Sequence, residues 1–182
     1  VLIIVIIAFT AYQKTSKSKA LELEFEGQKL FYGDYDAQFI PAVERYQKAL
    51  EMFKKSYAAK KRADVLLYIA NCHYELGNYD EAIKALKDLS SQFSDPKIIS
   101  LAYYKMAMSY IKKDDTDNAL TSLKNILSIK DSVLQDMALL EIGKILELSG
   151  KTEDAKNKYR ELINKFPKSA LLIEAKTRLG EK

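Results

Sequence analysis

Cysteine and histidine are scarce in this sequence, and their scarcity excludes several kinds of site. The single cysteine, Cys72, has no partner for an internal disulfide or for a cysteine-based metal cluster. The single histidine, His73, cannot form the histidine pair that many zinc sites use. The two residues are adjacent, and neighbours on a helix point in different directions, so they do not make a nucleophile and base. We therefore predict that the chain is not an enzyme and has no catalytic residue, metal site or cofactor.

Proline, glycine and excess charge are scarce as well. Only 3 Pro and 6 Gly occur among 182 residues, and 48% of the residues are hydrophobic, which favours one elongated all-helical domain. The net charge of +4 is too small to indicate a nucleic-acid partner. The densest basic stretch, Lys54 to Arg62, is interpreted as a solvated helix end, where the helix dipole favours cations.

A short block of sequence recurs at intervals of 37 and 36 residues. It occupies Ala70–Ala82, Ala107–Ala119 and Gly143–Ala155. A unit of this length cannot bury its own apolar face and must stack on its neighbours, so the repeat predicts a stacked array. The function is then expected on a surface and not in a catalytic pocket.

The first of these blocks indicates two helices joined by a tight turn. Apolar residues at three- and four-residue spacing form one stripe from Val65 to His73 and a second from Ala82 to Leu89. Between the stripes, Gly77 suits a helix C-terminus that requires positive φ, while Asn78 and Asp80 can cap the following helix. The pattern predicts an αα-hairpin.

These blocks resemble the tetratricopeptide repeat (TPR), which has a small residue midway along its first helix, a turn glycine and an alanine early in its second helix. A small residue where two helices cross lets the backbones approach closely. The block at Ala107–Ala119 departs from this pattern with Asp114 at the turn. A weaker repeat before the first block offers only Gly27 as a small residue. The matching positions are Ala70, Ala107 and Gly143 (small), Gly77 and Gly150 (turn), Ala82, Ala119 and Ala155 (second helix) and Pro167 (end of the last unit).

The resemblance implies an all-α fold, a TPR-type solenoid of about four helix-turn-helix units with a C-terminal capping helix. To this fold we add an N-terminal, truncated transmembrane helix, predicted from the apolar residues described in the next paragraph. Ser169 can cap that last helix, expected over residues 170–179. The implied divisions are the C-terminal part of a transmembrane helix (1–13), a linker or long helix with a divergent first unit (14–62), three repeat units (63–95, 96–130 and 131–167) and the capping helix (168–182).

The first residues of the chain are apolar on every side. Val1 to Phe9 carries no charge, and Tyr12 is followed by Lys14, Lys17 and Lys19. A helix of these first twelve residues is roughly 18 Å long, against a hydrocarbon core of about 30 Å, so it does not span a membrane alone. Because the sequence starts at Val, we expect more of the same helix upstream and predict a membrane anchor, with Tyr12 and the lysines at the interface. The alternatives are a cleaved signal-peptide core and a buried helix.

One membrane helix, a short basic linker and about four repeats also resemble the bacterial ancillary subunit of the Sec translocon and its relatives. This resemblance implies a single-pass protein of the bacterial inner membrane whose repeats lie in the periplasm. The lysines after the apolar run favour a cytoplasmic location through the positive-inside tendency, so the cytoplasm stays open as an alternative.

TPR arrays bind peptides on the concave face that their first helices line, and the resemblance implies the same use here. The expected function is a membrane-anchored adaptor that recruits a client, chaperone or assembly partner at the cell envelope through a protein or peptide contact. The alternative is a structural subunit of a membrane-associated assembly or homo-oligomer, because the run Leu171–Ile173 leaves one apolar residue without an inward direction. The residues implied to line the concave face are Leu67, Asn71, Tyr74, Leu101, Tyr104, Met108, Ile111, Leu140, Lys144 and Glu147.

Overall fold

Helices make up all the regular secondary structure in the described part of the chain. The computed structural model describes residues 2–34 and 36–180. Outside that description lie Val1 of the predicted apolar run and Tyr35 of the predicted first turn. Residues 181–182 of the predicted capping segment lie outside it as well. The prediction of an all-α repeat fold is confirmed.

The described residues form helices that follow one another in pairs, as a repeat of helical hairpins requires. Their bounds are α1 (Leu2–Tyr32), α2 (Ala42–Ala59), α3 (Ala63–Glu75), α4 (Tyr79–Gln92), α5 (Pro96–Lys112), α6 (Thr116–Ser128), α7 (Gln135–Leu148), α8 (Thr152–Lys165) and α9 (Leu172–Leu179). The contacts divide the chain into two compact units that are larger than the single repeats predicted above. From here on, the first unit is the one that ends at Leu89, and the second unit is the one that begins at Ser90.

In the first unit, α1 and α2 run antiparallel and are joined by two serine hydroxyls. Ser16 Oγ donates to the Ala59 carbonyl at 2.7 Å, and the buried Ser56 Oγ donates to the Ala20 carbonyl at 2.8 Å. The helices cross at Gly27, where a Cβ would lie only 2.8 Å from the Phe53 ring. Gly27 therefore has the role that the repeat pattern gives to a small residue.

The C-terminal end of α1 is closed by Arg45, a residue of α2. Its guanidinium donates to the carbonyls of Leu30, Phe31 and Ile40 at 3.2–3.3 Å. The bonds to Leu30 and Phe31 satisfy carbonyl groups that a helix end otherwise leaves without an intrahelical partner, and the bond to Ile40 holds the connection. The connection between α1 and α2 is therefore fixed by a side chain as well as by the backbone.

The N-terminal part of α1 extends past the point where α2 ends. Ala59 of α2 lies opposite Ser16 of α1. The described apolar side chains that precede Ser16 are exposed, for example 72% at Ile3, 60% at Phe9 and 69% at Tyr12. Within residues 2–34 and 36–180, none of the helices is both long and apolar enough to cross a bilayer. The membrane anchor therefore stays a prediction.

In the second unit, α7, α8 and α9 share a core. Its buried members are Leu139, Leu140, Ala155, Tyr159, Leu162 and Ala175. Gly143 lies against Tyr159 so closely that a Cβ would be 2.3 Å from the ring. The predicted small position is thus the point where α7 and α8 approach.

The capping helix begins two residues later than predicted. Residues 170 and 171 form a turn, and α9 starts at Leu172. Ser169 still organises this start, because its Oγ accepts from the Leu171 N–H at 3.1 Å and donates to the Asp136 carboxylate at 2.5 Å.

Candidate functional site

On α3, the three predicted site residues are half-buried and lie on one side of the helix. Leu67, Asn71 and Tyr74 follow the spacing of four and three residues that places side chains on one helix face. The Tyr74 ring packs edge-on against Tyr79, the first residue of α4, with centroids 5.4 Å apart. Among the described residues, the Asn71 amide has no hydrogen-bond partner, so it keeps its full donor and acceptor capacity.

Helix α5 starts where its sequence favours a helix N-terminus. The Asp95 carboxylate accepts from the Lys97 N–H at 2.9 Å, and Pro96 occupies the first helical position. Both are favoured features of a helix start, and they fix where α5 begins.

Helix α5 is apolar on two faces. One face is buried, with Met106, Ala107 and Tyr110 all at most 9% exposed. The other carries the predicted site residues, of which Ile111 is 37% exposed and the rest are half-buried. This second face is defined by Leu101, Tyr104, Met108 and Ile111 and is called the α5 face below. It offers an aromatic ring, a thioether and two aliphatic side chains to a partner.

On α7, the structure corrects the predicted site. Leu140 is only 2% exposed and belongs to the core that α9 completes, so the prediction that it lines a binding surface is wrong. Lys144 pairs with Glu141 at 2.8 Å and lies 3.9 Å from Glu174 of α9.

Glu147, the last predicted residue on α7, is engaged in the same way. Its carboxylate accepts from Tyr159 Oη at 2.9 Å and from Arg178 Nη1 at 2.7 Å. The Tyr159 hydrogen bond and then the Arg178 guanidinium hold the pKa of Glu147 below its usual range. Lys144 and Glu147 of α7 thus hold the capping helix. The candidate site that remains consists of the predicted residues on α3 in the first unit and on α5 in the second unit.

A buried ionic cluster in the first unit was not predicted. Glu24 of α1 is 7% exposed, and it accepts from Arg62 Nη1 at 2.7 Å and from Gln28 Nε2 at 3.1 Å. Arg62 also pairs with Asp64. Burial raises the pKa of Glu24, and the Arg62 charge opposes that rise. In the sequence, only the position of Glu24 on the inward side of α1 pointed to this cluster. Its partner Arg62 lies 38 residues away, so no local sequence pattern marks the pair.

Neither Cys72 nor His73 is placed for chemistry. Cys72 is fully buried, and burial raises the pKa of its thiol to about 12, so the reactive thiolate is not formed at neutral pH. Burial lowers the pKa of His73, and its Nδ1 has no hydrogen-bond partner among the described atoms. In the described part of the chain, no three His, Cys, Asp or Glu side chains are grouped to hold a metal ion. The absence of enzymatic activity stays a prediction.

The sequence matches one family model over nearly its whole length. A model described as a tetratricopeptide repeat-like domain covers residues 1–179. No curated protein matches the chain.

Solved structures with a similar fold come from repeat proteins of low sequence identity. Two crystal structures of MamA align with TM-scores of 0.60 and 0.61 at 20% and 21% identity. The first alignment covers 75% of this chain and 76% of the MamA chain, and the second covers 89% and 79%. The TPR2AB domain of yeast Sti1, in complex with pHSP90, aligns with a TM-score of 0.53 at 22% identity, over 89% of this chain and 71% of that chain. At these identities the likeness is one of fold.

Proposed function

The chain belongs to the tetratricopeptide repeat-like domain family, and on this premise we propose that it is a membrane-anchored adaptor for protein–protein interactions. In this role it recruits a client, chaperone or assembly partner at the cell envelope. The family fold supports the adaptor part of the proposal, because stacked helical hairpins present extended surfaces suited to protein partners.

The observation that carries the proposal is the α5 face. An ordinary surface helix has one apolar stripe and one polar face, whereas α5 keeps Tyr104, Met108 and Ile111 opposite its buried side. A mixed aromatic and thioether surface of this kind adapts to the apolar side chains of a peptide. The α5 face is therefore the proposed partner contact in the second unit.

In the first unit, Asn71 adds a polar contact to the apolar surface of Leu67 and Tyr74. A side-chain amide can donate to and accept from the backbone of an extended peptide. The complex of the Sti1 TPR2AB domain with pHSP90 supports a protein ligand for this fold in general. The ligand of the present chain is defined only by its chemistry, an apolar segment with accessible backbone groups.

The membrane part of the proposal is supported by the N-terminal end of α1. Its described side chains from Ile3 to Ile7 are 53–72% exposed on all sides of the helix, without a protein surface to cover them. An all-round apolar helix is favoured inside a bilayer and not in water. Together with the resemblance to the ancillary Sec translocon subunit, this favours a bacterial inner-membrane protein with its repeats in the periplasm, the cytoplasm being the alternative.

Photocrosslinking in cells tests the adaptor proposal. A photoreactive residue replacing Met108 of the α5 face should form a crosslink to another protein, whereas the same residue replacing Lys124, exposed on α6, should not. Mass spectrometry of the crosslinked band identifies the partner. Equal crosslinking from both positions, or none from the α5 face, would contradict the assignment of the face.

A structural role in a homo-oligomer is the second candidate, and one observation favours it. Ile173 of α9 is 80% exposed, and Leu148 at the end of α7 is 89% exposed. Apolar side chains as exposed as these can form a contact between two copies of a chain. If this role is correct, Ile173→Glu should convert an oligomer to a monomer in light scattering at matched concentration, while Lys176→Glu on the same helix should leave its mass unchanged.

A further inference from the structure

The structure brings together two basic segments that lie far apart in the sequence. Ser16 of α1 bonds to the carbonyl of Ala59 at the end of α2, so the lysines on either side of Ser16 lie beside those at the end of α2. We define the basic collar as Lys14, Lys17 and Lys19 of α1 with Lys55 and Lys60 at the end of α2. All five side chains are exposed.

Two clefts at the junction are lined by four of the five collar lysines. Lys17 and Lys60 line one cleft together with Ala20, Leu21 and Arg62.

The second cleft has lysines and apolar groups as well. Lys19 and Lys55 line it with Tyr12, Leu23 and residues 58–59 among others. Each cleft thus combines positive charge with an apolar floor at the place where the apolar end of α1 leaves the fold.

Most of the collar charge is not neutralised by the residues that the structure describes. Among the described residues, Lys14, Lys17, Lys19 and Lys60 have no carboxylate within ion-pair distance. Lys55 is the exception, since it pairs with Glu51 at 2.5 Å.

Arg62, two residues after Lys60, belongs instead to the ionic cluster of the first unit. Arg62 is held there by Glu24 and Asp64, and its charge is compensated. The uncompensated cations therefore occupy a band about 8 Å deep along α1, given the helical rise of about 1.5 Å per residue.

We propose that the basic collar binds the headgroups of anionic phospholipids and sets the depth at which α1 enters the membrane. This inference rests on the proposed membrane anchor, because the collar follows directly on the apolar end of α1. Lysines at a bilayer surface are attracted to anionic headgroups, and their long side chains reach the phosphates while the stems cover apolar surface. Because α2 contributes two of the lysines, the collar also fixes the first unit against the bilayer.

Vesicle flotation of the full chain separates the collar from the anchor. The fraction of chain that floats is measured against lipid concentration for neutral phosphatidylcholine vesicles and for vesicles that also contain phosphatidylglycerol. The test variant combines Lys14→Gln, Lys17→Gln, Lys19→Gln and Lys60→Gln. We expect the wild-type chain to prefer the anionic vesicles. The partition coefficient of the variant into them should fall roughly a hundredfold to a thousandfold, while its partition into neutral vesicles is unchanged.

A matched control removes the same number of charges elsewhere. Lys84→Gln, Lys97→Gln, Lys124→Gln and Lys130→Gln together change four exposed lysines outside the collar and should retain the anionic preference. Circular dichroism verifies that both variants are folded. If the wild-type chain and the collar variant partition equally into anionic vesicles, the proposal that the collar binds anionic headgroups is wrong. The proposal that α1 is a membrane anchor is not affected by that result. If the wild-type chain floats with neither kind of vesicle, the anchor itself is wrong, and the collar with it.

Discussion

At the scale of single residues, the closest helix approaches depend on glycine. Gly27 faces Phe53, and Gly143 faces Tyr159, at distances that leave no room for a methyl group. Each aromatic ring is buried, so it cannot turn away without loss of packing. These two small positions are therefore explained by contact with a specific ring across the helix pair.

Gly143→Ala should destabilise the protein by about 1–3 kcal/mol, because the new methyl group overlaps the Tyr159 ring. Alanine otherwise favours a helix over glycine by about 1 kcal/mol, so a loss of stability isolates the steric term. Urea denaturation measures the change. In a Tyr159→Leu background the same substitution should cost less, and an equal cost in both backgrounds would contradict the contact as its cause.

Asp114→Gly should stabilise the protein by about 0.5–1 kcal/mol, because glycine adopts a left-handed conformation without a Cβ penalty. Asp114 has φ 57, and Gly150 adopts the same region at the corresponding turn. The reverse change, Gly150→Asp, should lower the denaturation midpoint. A lower midpoint for Asp114→Gly would indicate that the aspartate side chain has a stabilising contact of its own.

At the scale of elements, α9 determines which residues of α7 are accessible. It covers Leu140, and its Arg178 bonds to Glu147. The last helix of a repeat array protects the apolar surface that the next repeat would otherwise cover. The contacts of α7 are therefore those of an end unit, and they differ from the half-exposed surface of α5.

The docking of α9 should weaken in acid through Glu147. The pKa of Glu147 lies below the usual 4.5 in the folded state. The stabilisation by this carboxylate is therefore fully present at a pH above 4.5, and it is lost as the pH falls through the lowered pKa. Between about pH 5 and pH 2, the melting temperature of wild type should therefore fall more than that of Glu147→Gln. Glu22→Gln, which changes an exposed glutamate of α1, should keep the wild-type acid dependence. Parallel curves for wild type and Glu147→Gln would refute the role of this carboxylate.

The helices were predictable because their signals are local. Gly77 and Gly150 mark turns, both with positive φ, and Ser169 marks the entry to the last helix. The accessible site was less predictable, because it depends on which neighbour covers each helix. Leu140 has the same repeat position as half-buried residues in other units, and only the packing of α9 distinguishes it.

At the scale of the whole molecule, the chain combines two surfaces with different chemistry. The first unit carries the exposed apolar end of α1 and the basic collar. The second unit carries the α5 face, an apolar surface opposite a buried one. The first suits a lipid surface and the second a protein partner, as expected of an adaptor that is held at a membrane.

Binding of a protein partner through the α5 face is tested by the affinity of Tyr104→Ala for the crosslinked partner. Tyr104 is half-buried on that face, so its removal should weaken binding roughly tenfold or more, as truncation of an aromatic anchor does, while a cooperative circular dichroism melt shows that the variant is folded. Lys124→Ala should bind as wild type does. Wild-type affinity for a folded Tyr104→Ala protein would contradict the account, and so would a loss of binding that accompanies unfolding.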